Sequence, residues 1–130
     1  MVKFSKANAK IEALAKVESL QKYLEGKKVY SFDLLSGYSC PFAKECLSKA
    51  VEDSQGKRTI KDGPDTEFRC FSASQEARIT VVYNLRKNNF DSLRKLNTIE
   101  LVKEILEAMP KDLGVCRIHV AGDFFNEKYF

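Results

Sequence analysis

The sequence predicts an α/β fold in which parallel strands are joined by crossover helices. Two apolar segments rich in β-branched and aromatic residues, Val29–Leu35 and Val115–Val120, are separated by a long and mostly helical stretch. Strands that alternate with helices form parallel sheets, because a parallel connection needs a long crossover. We therefore expect these strands to pair in parallel as neighbours, in the N-terminal part of a barrel-like or open α/β fold.

The N-terminal residues 1–26 predict one amphipathic helix over Asn8–Leu24. Apolar residues recur there at helical spacing, while lysines and glutamates fill the other face. Gly26 suits the position after a helix end, since glycine adopts a left-handed backbone without steric cost. The remaining residues, 27–130, are expected to form the α/β part of a single domain.

Three further helices are predicted between the two strands. Pro41 favours the first turn of a helix running to about Val51, followed by a polar loop over residues 54–66 with room for a small hairpin. Ser72 or Ser74 can cap a second helix that ends near Asn88.

The third of these helices has a clear start and stop. Asn97 and Glu100 have the spacing of a capping box, in which each side chain bonds the other residue's backbone N–H. Pro110 cannot continue a helix. Together they predict a helix over Thr98–Met109.

The C-terminal segment is strongly aromatic, and Asn126 suits the start of a further helix. Because two parallel strands leave open edges and uncovered helix faces, we expect the chain to be the front part of a longer fold. We also expect a homodimer that buries the aromatic segment, since symmetric dimers are the commonest assemblies. The alternative is that these rings pack against the chain's own first helix. The four rings are Phe124, Phe125, Tyr129 and Phe130.

Composition narrows the classes of function. The 130 residues carry a formal charge of +4 with both signs interspersed, so nucleic-acid binding is not indicated. Lysines interrupt the N-terminus and no long apolar run exists, which predicts a cytoplasmic protein without a membrane span. Thiols stay reduced in that compartment, so the four cysteines are expected to be ligands, reactive thiols or core residues rather than disulfides.

Three cysteines are placed where α/β proteins form their sites. Cys40 and Cys46 follow the first predicted strand, and Cys70 lies in a loop before a long helical stretch. Sites of α/β folds form at the carboxyl ends of strands, so we expect the three sulfurs to converge there. Three thiolates can hold an iron–sulfur cluster, or a zinc ion with histidine or water in fourth place. The alternative is packed or free thiols without a cofactor, because unpaired cysteine is often buried.

Other candidate residues have a functional and a structural interpretation. The candidate catalytic residues are His119, the only histidine, and Asp123 in the following turn. The structural alternatives are that His119 packs in the core and that Asp123 stabilises the turn or caps a helix. Cys116, inside the second strand, is expected to pack in the core. A further set of polar residues lies in the first turn of a predicted helix, where the residues either bind an anion or are exposed to solvent. This group is Gln75, Glu76 and Arg78.

Three motifs resemble those of an uncharacterised bacteriophage family, which is named after a mycobacteriophage gene product 88 and also occurs in cyanophages. The motifs are Leu35-Ser36-Gly37-Tyr38-Ser39-Cys40-Pro41-Phe42-Ala43, Phe68-Arg69-Cys70-Phe71-Ser72-Ala73-Ser74-Gln75-Glu76-Ala77-Arg78 and Arg117-Ile118-His119-Val120-Ala121-Gly122-Asp123-Phe124-Phe125. The resemblance spans Val29–Phe130 and implies a protein that acts in the host cell. Family members continue past the position of Phe130, which agrees with a longer fold.

The layout is also similar to that of radical-SAM-type barrels, with cysteines after the first strand and a glycine–acidic turn after a later one. That similarity implies a radical-SAM-like enzyme fragment. The cysteine spacing departs from the usual Cys-x3-Cys-x2-Cys loop, because five residues separate Cys40 from Cys46 and 23 separate Cys46 from Cys70. Two functions therefore stay open: an enzyme that uses a cluster, and a structural or interaction module with packed thiols or zinc.

Overall fold

The computed structural model describes residues 1–64, 67 and 69–130, and it shows a mixed α/β fold with two small sheets. This confirms the α/β class. The elements in chain order are β1 (Ser5–Lys6), α1 (Ala9–Glu12), a 3-10 turn (Ala13–Lys16), α2 (Glu18–Leu24), β2 (Lys28–Phe32), β3 (Lys49–Glu52), β4 (Arg58–Lys61), α3 (Phe71–Arg78), α4 (Thr80–Leu93), α5 (Thr98–Ala108) and β5 (Leu113–Ile118).

The predicted parallel pair is confirmed by β2 and β5, with Val29 opposite Val115. Their segments stay side by side beyond the strands, since the Leu34 N–H donates to the Ala121 carbonyl at 3.0 Å. β1 adds an antiparallel strand to the other edge of β2, giving the order β1-β2-β5. The sequence did not predict β1, because a two-residue strand is too short for a readable alternation. Within the described residues this sheet is open and closes no barrel.

The main core lies on one face of β2. Phe32 and Leu34 point to the same face because strand side chains alternate, and they are buried against Leu93 of α4 and Leu101 of α5. Ser31 and Asp33 consequently point to the opposite face. A smaller cluster of Leu35, Ala50 and Tyr83 joins this strand to the β3–β4 hairpin and to α4.

The helix predicted over Pro41–Val51 is wrong. Residues 41–48 form turns and bends, and β3 then pairs antiparallel with β4. The hairpin satisfies the backbone groups of β3 and buries Ala50 completely. This packing prevails over the local preference that Pro41 gives for a helix start.

Two other predicted helices are interrupted. The segment Asn8–Leu24 is two short helices joined by the 3-10 turn, with Val17 in an extended conformation; Gly26 follows with φ +69°, as expected. The helix predicted from Ser72 to Asn88 breaks at Ile79, which is also extended. The break leaves the Glu76 carbonyl without a helical donor, and the Arg58 Nε–H takes that role at 3.2 Å.

The capping box at α5 is confirmed. The Asn97 side chain accepts from the Glu100 N–H at 3.1 Å, and the Glu100 carboxylate accepts from the Asn97 N–H at 2.9 Å. Replacing Asn97 with alanine should therefore lower the free energy of unfolding by about 1 kcal/mol. Urea denaturation measures this loss. Asn97→Ser is the matched control, because serine caps as well as asparagine does, and equal losses in the two variants would contradict the capping role.

The C-terminal aromatic residues pack partly within the chain itself. Phe125 and Tyr129 lie against the main core and stack with centroids 4.7 Å apart. Phe125 also meets Phe90 of α4 edge-on at 5.5 Å. The alternative packing against the first helical segment is therefore wrong for these two rings. Phe130 is 89% exposed, and the homodimer stays a prediction. Among the residues described, no helix is long and apolar enough to cross a membrane.

Candidate thiol site at the strand ends

The structure places Cys40, Cys46 and Cys70 within electrostatic range of one another. The Cys46 and Cys70 thiols interact electrostatically with each other, and each of them also interacts electrostatically with Cys40. All three are free thiols of intermediate exposure. Cys40 and Cys46 of the loop after β2 thus lie near Cys70 of the loop before α3, while their role as ligands stays a prediction.

A tight turn positions Cys40. Gly37 has φ +77°, and a Cβ at this position would lie 2.5 Å from the Ser48 carbonyl oxygen. Only glycine fits such a close approach in a left-handed conformation. The next buried residue, Ser39, donates its hydroxyl to the Leu35 carbonyl at 2.9 Å and accepts from the Asp123 N–H at 3.3 Å. The turn is therefore held against both the hairpin and the segment after β5.

Ser48 links the other two cysteine segments. It is 1% exposed, and its hydroxyl accepts from the Cys70 N–H at 3.3 Å. Cys70 directly precedes α3 in an extended conformation. The partial positive charge at the start of a helix favours negative charge nearby. Ser48 thus holds Cys70 beside Cys46 at the start of α3.

Burial raises the pKa of the Cys40 thiol; the Gly37 N–H and the Ser39 hydroxyl oppose this rise, and the charges of Asp123 and Cys70 add to it. Burial likewise raises the pKa of Cys46, and Cys70 adds to that rise. The absence of the predicted helix after Pro41 removes a dipole that would have had the opposite effect. The Cys40 and Cys46 thiols therefore favour the protonated form, and a bound cation would reverse that preference.

The thiols are near one another without forming a ready coordination sphere. In the part of the chain that the structure describes, no three His, Cys, Asp or Glu side chains are arranged to hold one metal ion. Coordination would therefore require the thiol side chains to rotate towards a common point. The turn of residues 41–48 lacks regular secondary structure, so that rotation does not require breaking a helix or strand.

His119 lies in an aromatic cluster. Its Nε2 is 2.9 Å from the Tyr129 hydroxyl, and its ring meets Phe124 edge-on at 4.6 Å. Burial lowers the pKa of His119, against the opposing charges of Asp123 and Asp33. Its backbone has φ +57°, a conformation uncommon for residues other than glycine. These contacts fit the core interpretation better than the catalytic one.

Asp123 and Cys116 have different surroundings. The Asp123 carboxylate accepts from the adjacent Phe124 N–H at 2.8 Å and lies within electrostatic range of Cys40. It thus combines the turn role with a position at the edge of the thiol site. Cys116 packs against the main core, where burial raises its pKa to about 11.

Comparison with known families gives a match over nearly the whole chain. The model of the family described as Gene product 88 covers residues 2–130. The chain belongs to the Gene product 88 family. This confirms the resemblance carried by the three motifs, and it does not extend to radical SAM enzymes. No curated protein and no solved structure shows a significant match to this Gene product 88 protein.

This Gene product 88 protein contains a buried charged network that was not predicted from the sequence. Glu76 is fully buried, and its Oε1 accepts from the Ser36 hydroxyl at 2.9 Å and from Arg86 Nη1 at 3.0 Å. The solvated first turn expected around Gln75, Glu76 and Arg78 is therefore wrong for Glu76. Burial raises the pKa of the Glu76 carboxyl, although Arg86 and Ser36 oppose the rise. The network ties α3 and α4 to the turn that leads to Cys40.

Asp33 is the second residue that was missed, and it joins the two strand ends. Its Oδ1 accepts from the backbone N–H groups of Val120 at 2.8 Å and Ala121 at 3.2 Å. Its Oδ2 accepts from the Ser31 hydroxyl at 3.0 Å. An acidic residue inside an apolar strand is unusual enough to have signalled this role from the sequence.

Proposed function

We propose that this Gene product 88 protein binds an iron–sulfur cluster through Cys40, Cys46 and Cys70. The observation that supports the proposal is that three thiols from two loops lie within electrostatic range of one another near one strand end. Thiolates are the usual ligands of such clusters. Three thiolates leave one iron free for a substrate, a further cofactor or another ligand, so an enzyme is the function that we favour.

An iron–sulfur cluster fits these residues better than structural zinc does. Structural zinc is held by four protein ligands, commonly cysteine and histidine. Here the His119 ring is hydrogen-bonded to Tyr129 and Cys116 packs in the main core, so neither residue is placed as a fourth ligand. Asp123 is a carboxylate near Cys40 and is a less typical fourth ligand. The donor set thus supplies three soft ligands, which suits a cluster with an open position.

The surrounding residues can stabilise the negative charge of the thiolates. The Gly37 N–H and the Ser39 hydroxyl interact with the Cys40 sulfur. Cys70 lies at the positive end of α3. Such outer contacts tune the potential of a bound cluster, which supplies electron transfer or Lewis-acid chemistry at its open iron. The parallel β2–β5 pair supports, as a further part of the proposal, a barrel-like or open α/β arrangement around the site.

Anaerobic reconstitution with iron and sulfide tests the proposal. The brown protein should contain iron and acid-labile sulfide, and Cys40→Ser, Cys46→Ser or Cys70→Ser should each lose most of both. Cys116→Ser is the matched control and should keep them, because this thiol lies in the core. Far-UV circular dichroism shows whether each variant folds.

Two outcomes of that experiment would contradict the cluster. Binding of zinc alone, dependent on the same three cysteines, would support a structural or interaction module. Retention of iron in all three variants, or no metal in the wild-type protein, would show that these are packed thiols without a cofactor. The raised pKa of Cys40 and of Cys46 is the observation that favours this second result.

A further inference from the structure

A cavity of about 330 Å³ lies on the face of β2 opposite the main core. Ser31 and Asp33 line it from the strand, while α3, α4 and the N-terminal segment supply its other walls. Its volume is within the range of small-molecule sites. We call it the Asp33–Arg86 pocket after its two buried charged residues.

Arg86 forms the cationic part of the pocket. The residue is 6% exposed, and its guanidinium donates to Glu76 at 3.0 Å and to Gln75 at 3.1 Å. A guanidinium has five N–H donors, so these two bonds leave donors available to a ligand. A planar guanidinium is well suited to a carboxylate, which it can bind through two parallel hydrogen bonds.

The start of α3 adds backbone donors beside Arg86. Ser72, in the first turn, lines the same pocket. No side chain caps this helix, so its first N–H groups lack the usual side-chain acceptor. Backbone N–H groups and the helix dipole favour an anionic group at this position.

Asp33 forms the anionic part. It is 5% exposed, and its carboxylate accepts three hydrogen bonds, two at Oδ1 and one at Oδ2. A carboxylate has about four acceptor positions, so one remains on Oδ2. An ammonium group suits that position, because a buried charge is stabilised by an opposite charge.

We propose that the Asp33–Arg86 pocket binds a small zwitterion of the α-amino-acid type. The ligand's ammonium contacts Asp33, its carboxylate contacts Arg86 and the first turn of α3, and its apolar side chain lies against Val82 and Leu85. A ligand that carries both charges can pair with Asp33 and with the remaining donors of Arg86 at the same time. This inference goes beyond the thiol site and does not depend on metal binding.

Calorimetric titration of the full chain with L-norleucine tests the two charged contacts. N-acetyl-L-norleucine lacks the ammonium, and 1-pentylamine lacks the carboxylate. Norleucine should bind saturably, and each truncated probe should bind about tenfold more weakly or worse, because each loses a charged hydrogen bond. Absence of saturable norleucine binding would overturn the proposal. Equal or tighter binding of either truncated probe would overturn the pairing of both charges.

A blocking variant tests the location without changing either charged residue. Val81 lines the pocket and is 75% exposed, so Val81→Trp should close the entrance while the fold is kept. Ile99→Trp is the matched control, since Ile99 is 82% exposed on α5 and lies outside the pocket. Norleucine binding should be lost in the first variant and kept in the second. Unchanged binding in Val81→Trp would place the ligand elsewhere and overturn the assignment.

Discussion

Replacing Glu76 with alanine is expected to lower the free energy of unfolding by about 3–5 kcal/mol. Glu76 and Arg86 are both buried, and the substitution leaves the guanidinium without its carboxylate partner. It also removes the acceptor for the Ser36 N–H and hydroxyl. Small domains are stable by about 5–15 kcal/mol in total, so the variant should be close to unfolding at ambient temperature.

Urea denaturation of four proteins measures this effect: the wild type, Glu76→Ala, Arg86→Met and the double variant. The double variant should be more stable than Glu76→Ala, because replacing both charges removes the unpaired one. Lys87→Ala is the control, since its ion pair with Asp91 is solvent-exposed and should contribute about 1 kcal/mol or less. A loss in Glu76→Ala no larger than that in Lys87→Ala would show that the buried pair does not stabilise the fold.

Gly122→Ala is expected to have the second large effect and to lower the free energy of unfolding by about 2–4 kcal/mol. Gly122 has φ +80°, which costs an alanine energy in any surroundings. An added Cβ would also lie 2.6 Å from Ser39 Oγ and 2.8 Å from the Leu34 carbonyl oxygen. Both neighbours are buried, so the backbone must shift and carry Ser39, next to Cys40, with it.

Gly56→Ala separates the cost of the left-handed backbone conformation from the cost of the steric clash with neighbouring atoms. Gly56 has φ +79°, but a Cβ there would meet nothing within 4 Å. This control should therefore lose only the conformational part, about 1 kcal/mol. Thermal or urea unfolding compares the variants directly. Equal losses at Gly56 and Gly122 would show that the close approach to Ser39 contributes nothing.

Local signals in the sequence were sufficient for several elements. The capping box at Asn97, the turn at Gly26 and the helix before Pro110 depend on residues only a few positions apart. The parallel pairing of β2 with β5 was also predictable, because their apolar composition and the helical crossover leave few other topologies. The three cysteines were identified as a group from their positions relative to these elements.

Long-range contacts decided the remaining features. A hairpin replaces the helix expected after Pro41, because pairing with β4 and the burial of Ala50 stabilise the extended conformation. No local sequence pattern indicates either contact. Arg58, 18 residues away, bonds the Glu76 carbonyl that the break at Ile79 exposes.

The sequence by itself determined the class of the fold, its parallel strand pair and which thiols follow that pair. Only the tertiary structure decided that Glu76 is buried with Arg86 and that Asp33 bridges the strand ends. It also decided that Ser48 holds Cys70 beside Cys46. The physical reason is that a charged or polar residue enters the interior only where distant partners satisfy it, and those partners are known only once the chain has folded.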